Sequence, residues 1–208
     1  VDAVREGRVI YDNIKKFVRF LLSANLGEIG VILFSLLLGL PLPLLPLQLL
    51  WVNLVTDGLP ALALGVDKPN ENVMKRKPRS KDETILKGMF WFIFISGVLG
   101  TIIVLGLFYL YLGQSLEKAR TVALTTLIVF ELFIAFSTRS ESSIFKLKRN
   151  KWLWMAVLLS AVLHLIIVYT PLNVAFKLVP LILGDWIKIL IFGSLGFVFF
   201  ETKKLVSN

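Results

Sequence analysis

Residues 20–40 read FLLSANLGEIGVILFSLLLGL, an apolar stretch whose one charged side chain is Glu28. Wound as a helix it is about 31 Å long, at 1.5 Å per residue, and a bilayer core is about 30 Å thick. Five further apolar runs bounded by charge or by Pro and Gly follow, at 42–64, 89–112, 121–138, 152–169 and a last one ending at Phe200. The last is uninterrupted only over 189–200, and it reaches spanning length if Lys188 snorkels and residues 181–186 lie in the interface. The whole chain of 208 residues is 56% hydrophobic, with 16 Phe and 5 Trp and a mean hydropathy of +0.79. That leaves too little polar side chain to cover a water-soluble globule. The expected fold is all-α, a polytopic membrane bundle of six transmembrane helices over residues 20–208. A polar cytoplasmic stalk helix, 1–19, runs into the first span, and a cytoplasmic loop occupies 65–88. Repeats and low-complexity tracts are absent from the sequence.

The composition also excludes chemistry. With no Cys there is neither a disulfide nor a thiolate-ligated metal, and a single His cannot build a multi-His centre. The opening Val1-Asp2-Ala3-Val4 has neither Met nor a signal pattern, so the chain is expected to begin inside a longer polypeptide. The 23 Lys and Arg against 14 Asp and Glu would suggest nucleic acid in a soluble protein. Their placement argues otherwise. Nineteen fall before the first span, in the loops after the second and fourth, and after the sixth, while the opposite side holds Lys118, Arg120, Lys177 and Lys188. By the positive-inside rule both termini are cytoplasmic, and nucleic acid is not an expected partner; membrane lipid is.

This orientation gives the intramembrane acids a depth. Glu28, Asp57 and Glu131 each lie seven or eight residues from the cytoplasmic end of their span, so all three sit about 11 Å deep. Holding an acid near the bilayer centre costs at least about 2.5 to 3.5 kcal/mol. Asn25 lies one turn before Glu28 on the same helix face, and Asn53, Thr56 and Asp57 share a face at i, i+3 and i+4. Gly58 and Pro60 follow at once, and a helix break there would free backbone carbonyls, tolerable at this depth where they line a cavity or bind an ion. The donor set is two amides, a hydroxyl and three carboxylates. All-oxygen sets suit hard cations such as calcium.

Each residue also has a plainer reading. Glu131 alone fits a protonated structural carboxyl as well as a ligand. Asp57 alone fits a cap or turn before Gly and Pro, and Asn25, Asn53 and Thr56 fit interhelical hydrogen bonding. Shared depth and shared face favour the ligand reading. His164, in an apolar stretch, reads as a neutral core residue, and Trp152, Trp154 and Trp186 read as interfacial belt residues. The basic loop suits a solvated linker and a contact with a cytoplasmic domain equally.

The run Leu49-Leu50-Trp51-Val52-Asn53-Leu54-Val55-Thr56-Asp57-Gly58-Leu59-Pro60-Ala61 closely resembles the sixth transmembrane helix of P-type calcium pumps of the sarco/endoplasmic reticulum class. Ser23-Ala24-Asn25-Leu26-Gly27-Glu28 is similar to that family's fifth helix, and Gly7-Arg8-Val9-Ile10-Tyr11-Asp12-Asn13 to its stalk. The likeness continues through 74–80, Ala119-Arg120-Thr121 and Leu163-His164, and covers nearly the whole chain. It implies the last six helices of such a pump, with calcium ions as transported substrate. By the resemblance Asn25, Glu28, Thr56, Asp57 and Glu131 match ligands of a first calcium site, and Asn53 with the shared Asp57 matches a second. The rest of the second site would belong to a fourth helix, including a Glu, outside this chain. So would the phosphorylated Asp, since no Asp-Lys-Thr-Gly-Thr run occurs here.

The resemblance therefore implies no catalytic residue in this segment, ATP and magnesium bound only by missing cytoplasmic domains, and partners in those domains and in the preceding helices. Sodium/potassium pumps carry Asp where Asn53 stands, and single-site secretory-pathway calcium pumps lack the acid found here as Glu28. Both departures favour a two-site calcium pump. The weighed alternative is an ATP-independent cation channel or cation/proton exchanger, which an inverted repeat would favour. A membrane anchor leaves the three buried acids unexplained. Lack of Cys and of an appended tail points to a prokaryotic plasma membrane over an internal one.

Overall fold

The computed structural model describes residues 2–68, 73–75, 84–86, 88–140 and 150–206, and among these every regular element is helical. Helix α1 runs Asp2–Leu37, α2 Pro46–Trp51, α3 Gly58–Gly65, α4 Phe90–Leu112, α5 Leu116–Ser137, α6 Lys151–Tyr169, α7 Leu172–Phe176 and α8 Leu183–Val206. A π-helical turn, Val52–Thr56, joins α2 to α3, so that Pro46–Gly65 forms one span and six helices are long and apolar enough to cross a membrane. The stalk and the first span are one unbroken helix of 36 residues, about 54 Å long, which leaves its N-terminal half outside a bilayer. Below, the side holding the start of α1 and the end of α8 is the stalk side.

Helix ends follow local chemistry, and several differ from the expected bounds. Gly39, at φ +67°, ends α1 in a Schellman arrangement in which Leu40 N–H bonds the Ser35 carbonyl (2.9 Å) and Gly39 N–H that of Leu36 (3.1 Å). Residues 42–45, expected within the second span, are not helical, because Pro46 holds Leu45 extended (φ −95°, ψ 156°). Gln48 Oε1 then accepts the Leu45 N–H at 2.9 Å, and its Nε2 donates to the Phe176 carbonyl at 2.8 Å. α5 begins five residues before the expected start, since Ser115 caps it by accepting the Lys118 N–H at 3.1 Å. The sixth span is a full helix past Phe200, and Lys188, expected to snorkel, stacks on the Tyr111 ring 5.2 Å away. Gly58 and Pro60 do not break the span: both lie in α3, and the chain widens just before them, in the π turn, with Asp57 N–H bonded to the Val52 carbonyl five residues back.

α5 is the hub. In its spanning window 83% of residues are buried, against 28 to 50% in the other five. α1 packs on α4, α4 on α5 and α5 on α8, with α3 between α1 and α6. Small residues permit the close approaches. The Thr101 side chain fills the space over Gly30, donating to the Gly97 carbonyl at 2.8 Å and to the Gly27 carbonyl of α1 at 3.3 Å. The apolar core divides into two clusters, one with Val31, Val104, Phe108 and Ile128, the other on the stalk side with Phe20, Leu64, Phe130 and Phe200. Along α1, the second span and α5, the mid-span acid falls between members of the two clusters.

A methyl group at Gly30 has nowhere to go while Thr101 keeps both carbonyl bonds. Gly30→Ala should therefore cost about 1 to 3 kcal/mol, the usual penalty of overpacking, seen as a lower melting temperature of the detergent-solubilised protein. Thr101→Ala introduced with it should recover part of that loss.

Candidate cation site

Glu28 on α1, Asp57 at the end of the π turn and Glu131 on α5 are all buried, and each offers a carboxylate oxygen within 4.8 Å of the others. Apart from each other, the oxygens of Asp57 and Glu131 meet no hydrogen-bond donor among the described residues. Two like charges at that spacing repel by roughly 3 kcal/mol even at an effective dielectric constant of 20. Three such groups in an apolar bundle require protons or a cation among them. The π turn helps build the trio: its wider backbone ring rotates Asp57 inward, and Pro60 has no N–H for the Thr56 carbonyl.

The other sequence candidates border this trio. Asn53 is exposed, and its Nδ2 donates to both oxygens of Glu28, at 3.0 and 2.8 Å, and to the Leu49 carbonyl at 3.1 Å. Thr56 is buried beside Asp57, its hydroxyl donating to the Val52 carbonyl at 3.1 Å. Asn25 is half-buried, with Nδ2 on the Leu21 carbonyl at 2.7 Å. Both donations stay on the residue's own helix and leave side-chain oxygen lone pairs available to a ligand. His164 is buried, with Nε2 3.0 Å from the Thr125 hydroxyl. Trp186 Nε1 donates to the Tyr169 hydroxyl at 2.6 Å, and Trp152 and Trp154 are more than half exposed on α6.

A second constellation escaped the sequence reading. Asp67, just past α3, is buried and accepts from Lys16 Nζ of α1 at 2.9 Å and from Arg139 Nε and Nη2, just past α5, at 3.1 and 3.0 Å. Asn13 Nδ2 donates to the Asp67 and Gly65 carbonyls, and Lys16 Nζ also reaches Asn13 Oδ1 at 3.0 Å. Burial alone would raise the Asp67 pKa, but the Arg139 hydrogen bonds and the Lys16 charge outweigh it and hold the carboxyl below its usual 3.8. Its partners are 51 and 72 residues away in sequence, beyond any periodicity. The sequence around Asp67 carries no signal for it, since Glu71, Asp82 and Glu83 stand in the same basic loop. Residues 76–83 of that loop, with Arg76, Lys77 and Arg79, lie outside the described residues, as do 141–149.

The family described as Cation transporting ATPase, C-terminus matches residues 41–206, and the chain belongs to it. Among curated relatives, the "Calcium-transporting ATPase" of Bacillus subtilis is 46% identical over 195 residues, covering 90% of this chain and 22% of that protein. The "Calcium-transporting ATPase 3, endoplasmic reticulum-type" of Arabidopsis thaliana is 35% identical over all of this chain and 24% of that protein. The "Endoplasmic reticulum calcium ATPase srcA" of Aspergillus fumigatus is 35% identical over 88% of this chain and 23% of that protein. The chain thus spans less than a quarter of the length of these relatives. The family assignment removes support from the channel or exchanger alternative.

The depressed pKa of Asp67 fixes the sign of a pH effect. A carboxyl held below its unfolded value adds stability above that value and loses it as pH falls through the folded pKa. Amide protection at residues 64–68, measured against the intrinsic exchange rate at each pH, should therefore hold down to about pH 4 and fall below it, whereas Asp67→Asn should show low protection already at neutral pH. Identical profiles in the two proteins would remove the ion cluster as the cause of protection.

Proposed function

We propose that this chain is the ion-binding C-terminal membrane segment of a calcium-transporting ATPase, with calcium moved as substrate between the helices. The observation that carries the reading is the convergence of Glu28, Asp57 and Glu131, from three separate spans, where Asp57 and Glu131 meet no donor but each other among the described residues. Carboxylates so placed become favourable when a divalent ion sits among them, and calcium takes 6 to 8 oxygens at about 2.3 to 2.6 Å. Asn25 and Thr56 complete one site with the trio. Asn53, on the exposed flank beside Leu54, forms a second site with Asp57 and with ligands from a helix outside this chain.

The nucleotide pocket, the phosphorylated Asp and the magnesium ion belong to cytoplasmic domains in the remainder of such a pump. Phosphorylation there shifts these helices between states of high and low ion affinity, as any two-state coupling requires. Both termini lie on the cytoplasmic side, in keeping with the 19 basic residues of the stalk-side segments, and the membrane is the plasma membrane of a prokaryote.

The test is ion stoichiometry in the intact protein. Glu131→Gln keeps volume and removes charge from one site alone, weakening it by about 1.5 to 3 kcal/mol, as for a lost charged hydrogen bond. Asp57→Asn touches both sites. Calcium bound near the wild-type half-point should fall from two ions toward one in the first variant and toward none in the second. Wild-type affinity and stoichiometry in Glu131→Gln would make Glu131 a structural carboxyl and end this reading.

A further inference from the structure

Resting on the ion-site reading above, we propose that the buried ion cluster of Lys16, Asp67 and Arg139 is the positioning device that sets the spacing of the three carboxylates. The helices that meet in the cluster are the ones that carry the ligands. Lys16 lies twelve residues before Glu28 on unbroken α1, Asp67 ten residues after Asp57 across α3, and Arg139 eight residues after Glu131 at the end of α5. Three short helical segments therefore connect one buried junction to one buried site, about 12 to 18 Å apart along each helix at 1.5 Å per residue.

The chemistry of the junction suits registry more than stability. A buried ion pair is often no more stabilising than an apolar replacement, because desolvation offsets much of the attraction, and its best-attested use is to fix one arrangement among several. Here a single carboxylate serves two cations, with Arg139 donating from two nitrogens. The planar fork of an arginine fixes direction as well as distance. Asn13 holds the backbone on either side of Asp67 to the same turn of α1. A second tie follows at the next point of the loop that the structure describes, Arg8 Nη1 donating to the Val73 carbonyl at 2.8 Å. A shift or rotation of α1 is thus passed to α3 through Lys16 and Asn13, and to α5 through the shared carboxylate. None of the cluster's residues is a cation ligand in this arrangement; they act through the ligands.

The experiment measures equilibrium calcium binding to the intact protein in membranes for Asp67→Asn, Arg139→Gln, the double variant, and Glu131→Gln as the site control. Each single change at the cluster should raise the half-saturating calcium concentration more than threefold with the number of ions unchanged. The double variant should be no worse than the weaker single, since both remove one shared interaction. A rise below threefold at Asp67 and Arg139, alongside weakened binding in Glu131→Gln, overturns the positioning role and leaves the site intact. Unchanged binding in Glu131→Gln removes the site, and this role with it. Where Asp67→Asn does not accumulate, Lys16→Gln, which leaves Arg139 to neutralise Asp67, is read by the same threshold. A lowered melting temperature with unchanged affinity overturns the proposal by making the cluster a structural pair.

Discussion

Three carboxylates held within 4.8 Å of one another inside an apolar bundle form an arrangement that repels itself, and the rest of the structure is organised around tolerating it. Helices must approach closely enough to bring side chains from α1, the second span and α5 together. This demands the small residues at Gly30, Gly97 and Gly196, each facing a side chain of a neighbouring helix. It also demands that the apolar core divide, one cluster on either side of the acids, so that packing energy on both sides holds the level between them in place. The π turn at Val52–Thr56 is part of the same compromise. It gives up regular helical bonding over one turn to direct Asp57 inward, and such turns are common where backbone serves function.

Much of this was legible because it rests on local rules. Six spans follow from run length against bilayer thickness, and the shared level of Glu28, Asp57 and Glu131 follows from counting residues from charged boundaries. Those counts survive small errors at helix ends, which is why the early start of α5 and the late start of α2 did not disturb the trio. The illegible part depends on distance in sequence. Asp67 joins residues from elements 51 and 72 positions away, and its surroundings in the sequence, a basic loop, give no hint that it is buried. Likewise Gly58 and Pro60 announce an irregular turn, but whether a chain breaks or widens there is set by what packs against it. Here the Thr56 hydroxyl and the Asp57 amide both bond the Val52 carbonyl, and that doubled bond keeps the helix continuous.

A second buried, ion-paired aspartate marks the opposite side of the bundle and shows how the two ends differ. Asp185 accepts the Tyr111 hydroxyl of α4 at 2.8 Å, pairs with Lys118 of α5 at 3.1 Å and caps the start of α8 through the Ile182 N–H. α5 is common to both junctions, in keeping with its burial, and is the post against which the others are referenced. α1 and α3 belong to the stalk-side junction alone. On the opposite side the loop between α1 and α2, and the first turn of α2, are held by single bonds to backbone carbonyls, Arg120 to Leu42 at 2.9 Å and Gln48 to Phe176 at 2.8 Å. Such bonds contribute about 1 kcal/mol, somewhat more where a guanidinium donates, and hold a loop without fixing the axial position of a helix. α1 and the second span are thus held in ionic registry where the stalk enters and by weaker neutral or backbone-directed bonds at their opposite ends. Among the described residues, Glu131 therefore sits on a helix tied by ion pairs near both of its ends, whereas Glu28 and Asp57 sit on elements tied by ion pairs at the stalk side alone.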